Sequence, residues 1–122
     1  RGPIPHAFRP LLGQRIFGCD TCQSICPSNQ KPQNIIPFFE KFQLLDPQPD
    51  LLESFLLTEA EFRTRYANTP VLRAKYQGFR RNLAIVLGNA RLEAARTALL
   101  DCATTEPDDV VREAAQWALS QY

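Results

Sequence analysis

The chain has 122 residues, 44% of them hydrophobic, and a formal net charge of +1. That supports one modest domain with a packed core and excludes a disordered chain. No apolar run approaches the roughly 18 residues that cross a bilayer, and Arg1-Gly2-Pro3-Ile4-Pro5 lacks the apolar stretch of a secretory leader, so a cytoplasmic location is expected. The sequence contains no Met, from which a piece of a longer polypeptide is expected.

The first 50 residues hold prolines at positions 3, 5, 10, 27, 32, 37, 47 and 49. Each removes a backbone donor and fixes φ, so long helices and central strands are not expected there. A short helical piece is expected around Phe8–Leu12, with a turn after each of the first three cysteines. Such a segment needs a bound group or a neighbouring domain to hold it.

From about residue 50 the pattern becomes helical. Asp50 can cap Leu51–Leu57. Thr58-Glu59-Ala60-Glu61 is a capping box that predicts a helix over 59–66. Thr69-Pro70 starts another helix, with a bend or break expected at Gly78. Phe79, Leu83, Val86 and Leu87 keep helical spacing up to a stop at Gly88-Asn89. Leu92, Ala95 and Leu99 mark a helix over 91–103. Asp108 caps a last helix whose inner face is Val111, Ala114, Ala115, Ala118 and Leu119. The fold class is therefore mostly α. Short amphipathic helices joined by short loops fit a right-handed stack of helix pairs, and 108–119 has the pattern of a HEAT-like repeat. A generic helical bundle fits the periodicity equally well.

The densest chemistry lies near the amino end. Gly18-Cys19-Asp20-Thr21-Cys22-Gln23-Ser24-Ile25-Cys26-Pro27 reads C-x2-C-x3-C-P. This is the tail of the bacterial ferredoxin run C-x2-C-x2-C-x3-C-P. Two thiolates two residues apart sit on one tight loop and can reach adjacent irons, while loop N–H groups offset sulfide charge. Cys19, Cys22 and Cys26 are thus candidate [4Fe–4S] ligands, with at least one further ligand needed from elsewhere. Zinc, with His6 as fourth ligand, is the competing reading. Cys102 sits mid-helix and reads as a small core residue, and His6 as an ordinary surface residue.

Charge is unevenly spread. Residues 61–96 hold eight basic and two acidic side chains, whereas 97–122 hold one basic and five acidic. Arg73, Lys75, Arg80 and Arg81 flank Gly78, with Tyr76 and Phe79 between them. Cations at such intervals can follow a phosphate backbone, and Asn82 could add a hydrogen bond to ribose or base. A solvated helix face explains the same pattern. Phe79 reads as core.

Several stretches together carry a family resemblance: Ile4-Pro5, Arg9-Pro10-Leu11, the run from Gly13-Gln14-Arg15-Ile16-Phe17 through the cysteines to Ser28-Asn29, and Glu61-Phe62-Arg63. Arg73-Ala74-Lys75-Tyr76-Gln77-Gly78-Phe79-Arg80-Arg81-Asn82, Leu87-Gly88-Asn89 and Val111–Leu119 complete the set. In this order they resemble the C-terminal part of epoxyqueuosine reductase. The resemblance implies a tRNA-modifying oxidoreductase that reduces epoxyqueuosine to queuosine with cobalamin and two [4Fe–4S] clusters. It implies residues 1–50 as half of a ferredoxin-like domain, and 51–122 as a HEAT-like module that holds the tRNA anticodon stem-loop. Cys19 and Cys22 then serve one cluster, and Cys26 reaches the other. Arg73, Lys75, Arg80, Arg81 and Asn82 become tRNA-binding candidates. No catalytic residue matches, and cobalamin would be bound by an N-terminal catalytic domain of the same protein. The segment alone is expected to be inactive, and a monomer is expected. Ser28 stands where that family often has tryptophan. From another functional class, an electron-transfer ferredoxin-like domain fused to a protein-binding helical repeat remains the alternative.

Overall fold

The computed structural model describes residues 2–29 and 49–122. Among them there are helices and turns and no strand. The expectations for residues 30–48 lie outside the described residues. The α-helices are α1 (Thr21–Ser24), α2 (Leu51–Leu56), α3 (Glu59–Arg65), α4 (Lys75–Ala90), α5 (Arg96–Thr105) and α6 (Asp109–Leu119), with 3-10 turns at His6–Phe8, Pro10–Leu12, Pro70–Ala74 and Glu93–Ala95. Contacts divide the chain into two units, residues 18–49 and a larger one of residues 1–17 with 50–122. The boundaries fall after Phe17 and after Pro49.

In the larger unit the helix starts follow side-chain chemistry. Asp50 accepts the Glu53 N–H at 2.7 Å. At α3 the capping box forms: Thr58 accepts from Glu61 N–H and Glu61 accepts from Thr58 N–H. Those hydrogen bonds, the backbone one foremost, hold the Glu61 carboxyl below its ordinary pKa. Asp108 accepts from both Val110 and Val111 at the start of α6. Caps of this kind each contribute about 1 kcal/mol.

Helix α4 departs from expectation in two places. It runs straight through Gly78, and the break lies at Lys75, whose φ is +59°. A lone helical glycine costs only about 1 kcal/mol, whereas burying Phe79 and Leu83 returns roughly 1.5–3 kcal/mol each. Nor does the helix stop at Gly88-Asn89. It continues to Ala90, and Arg91 takes the left-handed conformation at φ +49°. Gly88 serves close packing instead. A Cβ placed there would lie 2.7 Å from the Ala118 Cα and 2.9 Å from its Cβ, so only glycine lets α6 come this near.

Residues Leu83 to Gly88 are all buried, so this stretch of α4 is enclosed on every side and forms the centre of the unit. Helix α6 covers one side with Val111, Ala114, Ala115 and Ala118. Leu119, expected on that face, is only partly buried. Rings of Phe62, Tyr66, Tyr76 and Phe79 pack with centroids 4.8–5.9 Å apart. Residues 2–17 add Ile4, Leu12 and Ile16 to the core. The expected helix over 91–103 is a 3-10 turn at Glu93–Ala95 followed by α5, with Leu99 and Cys102 inward and Leu92 exposed.

Candidate functional site

The cysteine loop is built by its own backbone. Gly18, at φ +74°, turns the chain in a conformation that favours glycine. The Asp20 carbonyl then accepts from Gln23 N–H at 3.0 Å and Ser24 N–H at 2.8 Å, closing the single turn α1. Cys26 N–H donates to the Gln23 carbonyl, and Asn29 ties the far end through its backbone to Cys26 and its side chain to Gln23. Pro27 ends the helical path. Cys19 and Cys22 are exposed and Cys26 is partly buried, all as thiols. Cys19 Sγ lies 3.0 Å from the Thr21 hydroxyl.

Three surface thiols on a tight turn have the chemistry of a soft-metal or iron–sulfide donor set. Among the described residues, no group of three or more His, Cys, Asp and Glu side chains converges on a point. The loop therefore offers the right donors without a finished ligand cage. The His6 ring lies 2.8 Å from the Glu113 carboxylate. Cys102 is buried in α5, and burial above all pushes its pKa up to about 11. In metal-free native protein a thiol alkylating reagent should therefore modify Cys19 and Cys22 and spare Cys102 until denaturant is added. Peptide mapping of the labelled cysteines checks this.

The basic stretch separates into outward and inward groups. Arg73 and Lys75 are exposed. Arg80 turns inward. Its guanidinium pairs with Glu106, the two side chains being 17% and 10% exposed. It also stacks 5.2 Å from the Phe55 ring centroid and 5.5 Å from that of Tyr76. Arg81 donates to the Gly2 carbonyl at 2.7 Å and to the Asn82 side-chain oxygen. Asn82 donates to the Ile16 carbonyl at 2.7 Å. Arg80, Arg81 and Asn82 are thus engaged inside the fold, and Arg73 and Lys75 are the members of the set left at the surface.

Sequence reasoning missed a second anchor. Arg9 is 1% exposed and donates to both Glu113 oxygens, at 2.6 and 2.9 Å, and to the Ile4 carbonyl. It stacks on Trp117. Partial burial raises the Glu113 pKa, but hydrogen bonds and charge from Arg9 and His6 outweigh it and leave the carboxyl below its ordinary value. No sequence signal links positions 104 residues apart.

No family model matches the chain. Individual relatives do. An epoxyqueuosine reductase of Pseudomonas aeruginosa is 39% identical over 124 residues, covering 100% of this chain and 34% of the relative. That of Alicycliphilus denitrificans is 41% identical, covering 98% and 35%. The solved epoxyqueuosine reductase of Bacillus subtilis superposes on 98% of this chain with a TM-score of 0.84 and 28% identity. The chain is a relative of the epoxyqueuosine reductases. It spans about a third of the length of the relatives it matches. A further epoxyqueuosine reductase structure, with the same TM-score of 0.84, holds an epoxyqueuosine-modified tRNA-Tyr stem-loop. Those relatives are oxidoreductases by name, and the sequence resemblance to them extends over both units described above. No helix among the described residues is long and apolar enough to cross a membrane.

Proposed function

We propose that this chain is the C-terminal part of an epoxyqueuosine reductase, an oxidoreductase that converts epoxyqueuosine to queuosine in tRNA. The end-to-end match to curated reductases carries this reading. The motif and the surface thiols support Cys19, Cys22 and Cys26 as ligands to [4Fe–4S] clusters. The clusters would supply electrons, and the cobalamin that this activity requires would sit in the part of the relatives outside this chain. The cysteine loop would then be half of a ferredoxin-like domain, and the helices a HEAT-like module.

The relative that holds a tRNA stem-loop supports tRNA as partner. Within this chain Arg73 and Lys75 are the candidates of that set whose cations reach solvent, and they would meet phosphates. Arg80, Arg81 and Asn82 would act on RNA only through the packing they maintain. Binding of a tRNA stem-loop, titrated against salt, tests the reading. The Arg73→Ala, Lys75→Ala double variant should bind several-fold more weakly at low salt. Its slope of log affinity against log salt should shrink by about 1–2, since each lost phosphate contact removes roughly 0.7–0.9. An unchanged slope removes both residues from the interface.

A further inference from the structure

Among the described residues three that are not glycine have positive φ: Asn68, Lys75 and Arg91. Asparagine is a residue type that tolerates such a backbone. Arg91 closes α4 in the ordinary left-handed well, at φ +49° and ψ +43°. Lys75 differs from both. Its φ of +59° goes with a ψ of +165°, a corner of backbone space left almost entirely to glycine.

Both flanks hold it there. Before it, Pro70 starts a 3-10 turn, and Val71, Leu72 and Ala74 pack against the core. After it, the Tyr76 hydroxyl donates to the Leu57 carbonyl at 2.6 Å, and Phe79 is buried. The change of direction between the turn and α4 therefore falls on Lys75. Glycine at 75 would make that change without strain. The helix has its glycine three residues on instead, at Gly78, where φ is not left-handed and an added Cβ would meet only the Ala74 Cβ at 3.9 Å.

The fold itself gives no use for a lysine at this position. The side chain is exposed, and it makes no hydrogen bond or ion pair among the described residues. Arg63 and Arg96, exposed like it, pair with Glu59 and Glu93. Backbone strain of this kind persists where the place of a side chain matters. We propose, on the reading that this module holds RNA, that Lys75 contacts one RNA phosphate at a fixed place and that its strained backbone sets that place. Its cation is then not interchangeable with the general positive charge of the stretch.

The test compares three variants of the full-length parent protein by hydrogen–deuterium exchange over residues 70–82 and by stem-loop affinity. Lys75→Gly removes both cation and strain. Exchange should slow about three- to tenfold, while binding weakens several-fold. Lys75→Ala removes the cation and keeps the strain, so binding should weaken equally with no slowing of exchange. In Lys75→Gly, Gln77→Lys the charge returns two residues away, at an exposed site on regular helix. That double variant should regain less than half of the lost affinity on a logarithmic scale. Full recovery means that only net charge counts, and overturns the proposal while leaving the RNA reading intact. Exchange that does not slow in Lys75→Gly shows an unstrained backbone, and overturns it as well. A wild type without stem-loop affinity overturns the RNA reading and the proposal together.

Discussion

Replacing Glu106 with alanine should destabilise the fold by roughly 3–5 kcal/mol, the usual cost of stranding one member of a buried ion pair. Both partners are mostly shielded from water, and the Arg80 Nε already has no hydrogen-bond partner in its buried position. Loss of Glu106 would leave the guanidinium against the faces of Phe55 and Tyr76 with no counter-ion. Domains of this size are typically stable by about 5–15 kcal/mol, so the single variant should lose a large share of its stability. Leucine at both positions 80 and 106 should recover most of that loss, because an apolar pair needs no desolvation. Chemical denaturation of the three proteins checks this. A loss below about 1 kcal/mol, the range of exposed pairs, would mean that Arg80 escapes to solvent, and would return it to the RNA-binding candidates.

Two glycines in one helix should respond with opposite signs. At Gly88 an added methyl meets the Ala118 backbone at 2.7 Å and the Trp117 ring at 3.2 Å. Alanine gains about 1 kcal/mol in helix propensity there, but forcing α4 and α6 apart costs more than the usual 1–3 kcal/mol of overpacking, because the obstacle is backbone. A net loss of more than about 2 kcal/mol is expected for Gly88→Ala, and a larger one for Gly88→Val. At Gly78 the nearest atom to a new Cβ is the Ala74 Cβ at 3.9 Å, ordinary contact, and φ is not left-handed. Gly78→Ala should therefore stabilise by about 0.5–1 kcal/mol. Thermal melts of the two single variants distinguish the cases. A stabilising Gly88→Ala would refute the close α4–α6 crossing.

The helix starts were legible because caps are local. Asp50, Thr58 with Glu61, and Asp108 each bond to an N–H within three residues, and each helix begins where those residues say. The inner face of α6 was legible for the same reason, since its periodicity needs no partner to be read. Gly78 and Gly88 were misread as a break and a stop. A glycine's meaning depends on what approaches it, and Ala118 lies 30 residues further along the chain. The internal partners of the basic stretch are illegible for a related reason. Glu106 reaches Arg80 from 26 residues away and Ile16 reaches Asn82 from 66. Composition cannot show which cations a fold consumes internally. The cysteine motif is read from spacing alone; Cys22 lies on the single turn α1 and Cys19 and Cys26 lie beside it, without a finished cage among the described residues.

What Cys19, Cys22 and Cys26 hold decides whether this is a cluster-bearing reductase segment. Iron and acid-labile sulfide should be measured in the full-length parent protein purified without oxygen, beside its Cys19→Ser, Cys22→Ser variant. Wild type should be coloured and contain both elements, and the variant should lose most of each while its helices stay folded. Colourless wild type with zinc bound instead, or a variant that keeps its full iron content, would contradict the assignment.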